Sequence, residues 1–140
     1  MSAVGTEAKI AEALLTRLAN LTLSPPLQVA WPNKTFGPDK PDTYLQASLL
    51  RGNVQTVGIS AWDEHAGILQ VDVLYKAQDG EIKPLDIADA VVSWFGRGTR
   101  LVNGGIQVDV YEKPSIASAF PNGDGYLKIP VSIRYRSFIK

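Results

Sequence analysis

From Glu7 to Leu21 apolar residues return every three or four positions. Ile10, Ala13, Leu14, Leu18 and Leu21 form one stripe, and Glu7, Lys9, Glu12 and Arg17 lie largely off it. That period predicts an amphipathic helix packed by one face. Thr6 is its expected N-cap. Ser24-Pro25-Pro26 must lie past its end, because proline lacks an amide hydrogen and restricts the residue before it. Farther on the period becomes two. Leu45, Ala47 and Leu49 alternate with Tyr44, Gln46 and Ser48. Leu69, Val71, Val73 and Tyr75 alternate with Gln70, Asp72 and Lys76. Leu127, Ile129, Val131, Ile133 and Tyr135 alternate with Lys128, Ser132, Arg134 and Arg136. Each run predicts a strand with one apolar face. Pro130, which cannot donate to a ladder, predicts an edge position or a bulge for the last strand.

A second helix is expected from about Pro84 to Phe95, with Asp86 and Asp89 in its N-terminal half and Gly96 or Gly98 closing it. Ile87, Ala90, Val91, Trp94 and Phe95 give it a bulky face. Asn103-Gly104 predicts a hairpin within 101–110, and Asn122-Gly-Asp-Gly125 a further turn. A short strand over Leu27–Trp31 precedes a proline-rich loop from Pro32 to Thr43, whose length suits a contact loop. The order of elements implies an α+β fold: a mostly antiparallel sheet with two helices packed on one face, a single pair of layers, in one domain spanning 1–140.

Composition narrows the chemistry. The 140 residues are 45% hydrophobic and 20% charged, with 14 basic and 14 acidic side chains and no cysteine. Zero net charge draws the chain neither to nucleic acid nor to an anionic membrane, and the missing thiols exclude disulfides and thiolate chemistry. The apolar runs are too short to span a bilayer. No signal peptide is expected, which assigns the cytoplasm as the compartment.

The lone histidine, His65, stands beside Asp63 and Glu64 and is a candidate general base or zinc ligand. Turn chemistry accounts for the same letters, so Trp62-Asp-Glu-His-Ala-Gly67 is expected to be a polar turn feeding a strand. Asn122–Tyr126 lacks the closing Glu of a calcium loop, and Gly96-Arg-Gly-Thr99 follows a helix rather than opening one, so it offers no phosphate cradle. Lys128, Arg134 and Arg136, with Tyr126, form a candidate basic face for single-stranded nucleic acid. Asp72 and Asp109 are placed to pair with those cations, which favours a solvated or subunit-contacting face. Trp94 belongs to the core. Trp31 and Trp62 adjoin loops, as either lids or interface anchors.

The ordered words "IAEALLTRLANL", "LQVAWPNKTFGP", "YLQASLL", "AGILQVDVLYKAQDG", "DIADAVVSWFGRGTRL" and "DGYLKIPVSIRYR" together cover roughly residues 8 to 136. This combination resembles the small tail-terminator-like proteins of long-tailed phages and prophages. The resemblance implies a structural virion protein without catalytic residues, cofactor or metal. It implies copies assembling as a hexameric ring that caps the tail tube, contacts the major tail tube protein and offers a surface to the head-tail connector. The protein would then reside in the virion tail and, during assembly, in the host cytoplasm. Such a ring needs heterologous contacts. Candidate interface residues are Trp31, Phe36 and Trp62, with Ile68 and Leu74 as apolar interruptions of the second strand's outward face. The hairpin around Asn103 and an edge strand carrying Pro130 are further candidates. Three other readings remain: a different head-tail completion protein of similar fold, a nucleic-acid-binding module using Lys128, Arg134 and Arg136, and a small enzyme centred on His65.

Overall fold

The computed structural model describes residues 3–23, 26–32, 36, 40–58 and 61–140. The first stripe forms helix α1, Thr6–Ala19, which buries Ile10, Ala13, Leu14 and Leu18. Thr6 is its first helical residue rather than its cap. Gly5 occupies the cap position, and no side chain caps the helix there. The strand expected over 27–31 is reduced to β1, Val29–Ala30, and β2 is Thr43–Arg51. Part of the intervening loop, 33–35 and 37–39, lies outside the described residues.

Strand β3, Gln55–Val57, leads to β4, Trp62–Lys76. The expected turn at Trp62–Gly67 is therefore strand, held on one side by β3 and on the other by the last strand. A 3-10 turn, Ala77–Asp79, precedes α2, Ile82–Trp94. Helix α2 buries Pro84, Ala88, Val91 and Val92, so its inner face is rotated from the one expected, and Phe95 is buried just beyond its end. Strands β5, Arg100–Asn103, and β6, Ile106–Val110, form the expected hairpin. The positive φ angles fall on Gly104 (58°) and Gly105 (84°). Asn103 closes the hairpin instead, and its side-chain amide donates to the Lys9 carbonyl and to Glu12 of α1. Two short strands, β7 (Ser115–Ile116) and β8 (Phe120–Pro121), precede β9, Tyr126–Ile139.

The sheet runs β1-β2-β4-β9-β6-β5 and is antiparallel except for β1 against β2. Strand β9 is therefore central, contrary to the edge position that Pro130 predicted. In an antiparallel strand a residue's N–H and C=O point to the same side. The Pro130 carbonyl accepts from Ala117 N at 2.9 Å, so its missing amide hydrogen points away from β4. On that side β9 is met in turn by β8, β7 and β6, with breaks between them. The proline faces a break, and the long β4–β9 ladder from Asp63–Ile139 to Lys76–Tyr126 is intact.

Both helices pack on one face, α1 over β5 and β6, α2 over β4, β9 and β7. The core between the layers joins Leu69, Val71 and Val73 of β4 with Ile129, Val131 and Ile133 of β9, all with essentially no exposure. The helix C-termini are tied together: Arg17 donates to the Trp94 carbonyl at 2.7 Å, and the Trp94 indole donates to the Arg17 carbonyl at 2.7 Å. The Arg17 guanidinium also lies 3.9 Å from the Trp94 ring centroid.

Candidate functional site

Alternation along β4 and β9 places even-numbered residues on the face that no helix covers. Three zones follow one another across it. At one end Ala30, Tyr44, Leu74 and Tyr126 are buried together, with Phe36 packed on them edge-on to Tyr44 at 5.0 Å. The chain before β2 is fastened over this zone. The Tyr126 hydroxyl donates to the Pro41 carbonyl at 2.7 Å, and Lys40 pairs with Asp124 at 2.9 Å. Leu74 is consequently fully buried within its own chain, and Tyr44, expected to face outward, is buried too. That corrects the reading of Leu74 as an apolar surface open to a neighbour.

The middle zone holds Gln70, Asp72 and Lys128. Asp72, expected to be outward and solvated, is 3% exposed. Burial pushes its carboxyl above the ordinary carboxylate range, against the opposing pull of a 2.9 Å hydrogen bond from Gln70 and of the Lys128 ammonium at 3.7 Å. Ile68 is half-buried beyond it, between Leu50 of β2 and Arg134 of β9.

At the far end the face is apolar and exposed. Trp62, 40% exposed, and Phe138, 38%, border a shallow depression with Val57 and Gly58. Two cations lie against these rings. The Arg136 guanidinium is 4.7 Å from the Tyr111 centroid and 5.4 Å from that of Phe138, and Lys140 Nζ is 5.7 Å from Trp62. Beside them β6 diverges from β9, where the Ser137 hydroxyl donates to the Gln107 carbonyl at 2.6 Å.

The expected interface residues are thus not one group. Trp31 follows β1 and packs against the main core, Phe36 belongs to the aromatic zone, and Trp62 begins β4 at the opposite end. The expected basic face is divided as well. Lys128 pairs with Asp72, Arg134 pairs with Glu112 at 3.6 Å, and Arg136 turns to aromatic rings. Two of the three cations are already engaged by carboxylates, which leaves little for a phosphate chain. Phe138 and Lys140 carried no expectation, although the two-residue period of β9 continues to them.

His65 lies on the helix-covered side of β4. Its Nδ1 is 2.7 Å from Glu7 Oε1, and the other Glu7 oxygen is 3.6 Å from Arg51 Nε. The imidazole therefore fastens the first turn of α1 to the sheet, replacing the turn role expected for it. Among the described residues no cluster of three or more His, Cys, Asp or Glu side chains is placed to hold a metal ion.

Residues 9–135 match the family model described as phage tail terminator protein. The chain belongs to the phage tail terminator family. Membership gives this terminator a structural role in phage tail assembly and makes it a component of the virion tail. Among solved structures, one whose name states no activity aligns over 96% of both chains, at 25% identity and a TM-score of 0.77. No curated protein matches the terminator sequence. No helix among its described residues is long and apolar enough to cross a membrane.

Proposed function

We propose that the protein acts as a single domain whose copies close into a hexameric ring on the end of the tail tube. The ring stops tube polymerisation and presents the surface on which the head-tail connector docks. It works by assembly rather than catalysis, forms in the host cytoplasm and remains in the virion. The carrying observation is the family match over 127 of 140 residues, from 9 to 135. The exposed end of the uncovered sheet face supports it, because Trp62 and Phe138 with Arg136 and Lys140 leave a protomer an apolar and cationic surface suited to a neighbour.

Electron microscopy of purified tail tubes with and without the protein tests this reading. Rings capping one tube end, with tubes held at fixed length, are expected when tube protein polymerises in its presence. Unchanged tube length and bare ends at saturating protein would sink the proposal.

A further inference from the structure

Two exposed surfaces on opposite sides of the fold each set an apolar centre among charges, cations at one and mainly carboxylates at the other. The first is the depression of Val57, Trp62 and Phe138 with Arg136 and Lys140. Among the described residues the buried Arg136 Nε has no hydrogen-bond partner, and neither cation joins an ion pair. The second is the solvent side of α2, where Ile82 stands 74% exposed. Asp86 and Asp89, four and seven residues on, continue its stripe, and Glu81 precedes it; all three are exposed and outside every ion pair among the described residues. Acidic residues near a helix N-terminus are favourable in themselves. That does not account for a bare isoleucine in their midst.

We propose that Ile82 of one copy seats in the Val57–Trp62–Phe138 depression of the next, with Glu81 and Asp86 meeting Lys140 and Arg136. The occupant is a second copy of this chain because charge complementarity selects it. Among the strongly exposed apolar side chains of the described residues, Ile82 is the one with three carboxylates outside every ion pair around it, Glu81, Asp86 and Asp89, against the single neighbouring cation Lys83, whereas Val102 follows Arg100 by two positions. Single-stranded nucleic acid fits the depression less well. Two of the three cations expected to form its basic face, Lys128 and Arg134, are already paired with Asp72 and Glu112. The contact joins unlike surfaces, so every copy keeps one free socket and one free knob. It therefore propagates around a ring instead of stopping at a dimer. This proposal rests on the ring reading and supplies its protomer contact.

The chain has no cysteine, so introduced thiols are the only ones present. Ile82→Cys combined with Val57→Cys, treated with a short bismaleimide, is expected to give a ladder extending beyond dimers. Ile82→Cys with Val102→Cys, where Val102 is 72% exposed, is the control and should give none. Adding Arg136→Glu should cut the first ladder about tenfold, and Glu81→Arg with Asp86→Arg on that background should restore it. No ladder, or equal ladders from both pairs, overturns the contact. So does a labelled single-stranded oligonucleotide that binds at low salt, loses binding on Trp62→Ala, and is unaffected by changes at Ile82. Rings on tail tubes without the Ile82–Val57 ladder would remove this contact and leave ring assembly standing. The ladder without tube capping would do the reverse.

Discussion

Gly67 is where the sheet has least room. It sits directly opposite Tyr135 in the β4–β9 ladder. A Cβ at this position would stand 2.6 Å from the Tyr135 hydroxyl oxygen, 2.9 Å from its Cζ and 2.6 Å from the Leu50 carbonyl oxygen. All three distances lie well inside the optimum for non-bonded atoms. Tyr135 is 1% exposed and its ring has no free volume to swing into. The Leu50 oxygen belongs to β2 and moves only if the β2–β4 ladder moves. Overpacking costs about 1–3 kcal/mol, and two rigid obstacles place Gly67→Ala near about 3 kcal/mol. For a chain of this size the melting temperature should fall by roughly 6–12 °C. Urea denaturation gives the free energy directly. On a Tyr135→Phe background the hydroxyl obstacle disappears but the ring Cζ and the Leu50 oxygen stay, so the added cost of the alanine should fall without vanishing. At Gly96 a Cβ would meet only the Ser93 carbonyl oxygen, at 3.5 Å, and φ is not positive, so Gly96→Ala should stay within about 0.5 kcal/mol of the parent. If Gly67→Ala also stays within about 0.5 kcal/mol, the reasoning from close contact fails.

Three further outcomes are expected. Arg17→Ala removes the guanidinium bond to the Trp94 carbonyl and the ring contact while leaving the indole bond to the residue-17 backbone carbonyl, and should cost about 1–3 kcal/mol in urea titration while shifting tryptophan emission; an unchanged midpoint would show that the helix ends are held otherwise. Asp72 has a folded pKa above its unfolded value, so the native state keeps the proton longer and stability falls as pH rises from about 4 through the raised value. Asp72→Asn abolishes that slope, and its stability relative to the parent should be higher at pH 7 than at pH 4; a flat difference would argue against the buried charge. His65→Ala should destabilise more than Glu7→Ala, because the imidazole side chain is 14% exposed and the carboxylate 41%; guanidinium midpoints in the reverse order would contradict the placement of that pair.

The alternating runs of β2, β4 and β9 and the stripes of both helices were readable because the core against which they pack is continuous and apolar. Departures arise where a residue's environment is built by distant parts of the chain. Asp72 and Leu74 alternate as outward residues should, yet Phe36, Tyr44 and Tyr126, far away in sequence, close over that end of the sheet. Nothing local to β4 encodes that cover. The letters Asp63-Glu64-His65 look like a turn because this stretch of strand lies at the rim, where Asp63 meets Thr56 and His65 meets Glu7 instead of apolar core. Pro130 was misread because its meaning depends on which side of the strand its nitrogen faces, and only the partner strands decide that. Phe138 was within reach of the sequence, since the period of β9 simply runs on. What stayed hidden was its company: Trp62, Arg136 and Val57 are gathered by the ladder and not by adjacency.

The position of β9 sets a condition on how the chain can acquire its structure. The sheet is organised around the last strand, whose partner β4 begins at residue 62 and meets residues as far on as 139. Neither helix has a side-chain cap, so neither has strong local support for forming alone. Until residues 126–139 are available, β4 lacks its longest pairing and α2 lacks much of the surface that it covers. Contacts of such sequence separation slow folding and leave apolar strands open in the interim. A ribosome-bound chain is therefore expected to leave this sheet unformed, and dependent on protection from aggregation, until residues 126–139 have emerged. An assembly-competent sheet then arises in one step, and copies lacking β9 have no formed surface with which to enter a ring.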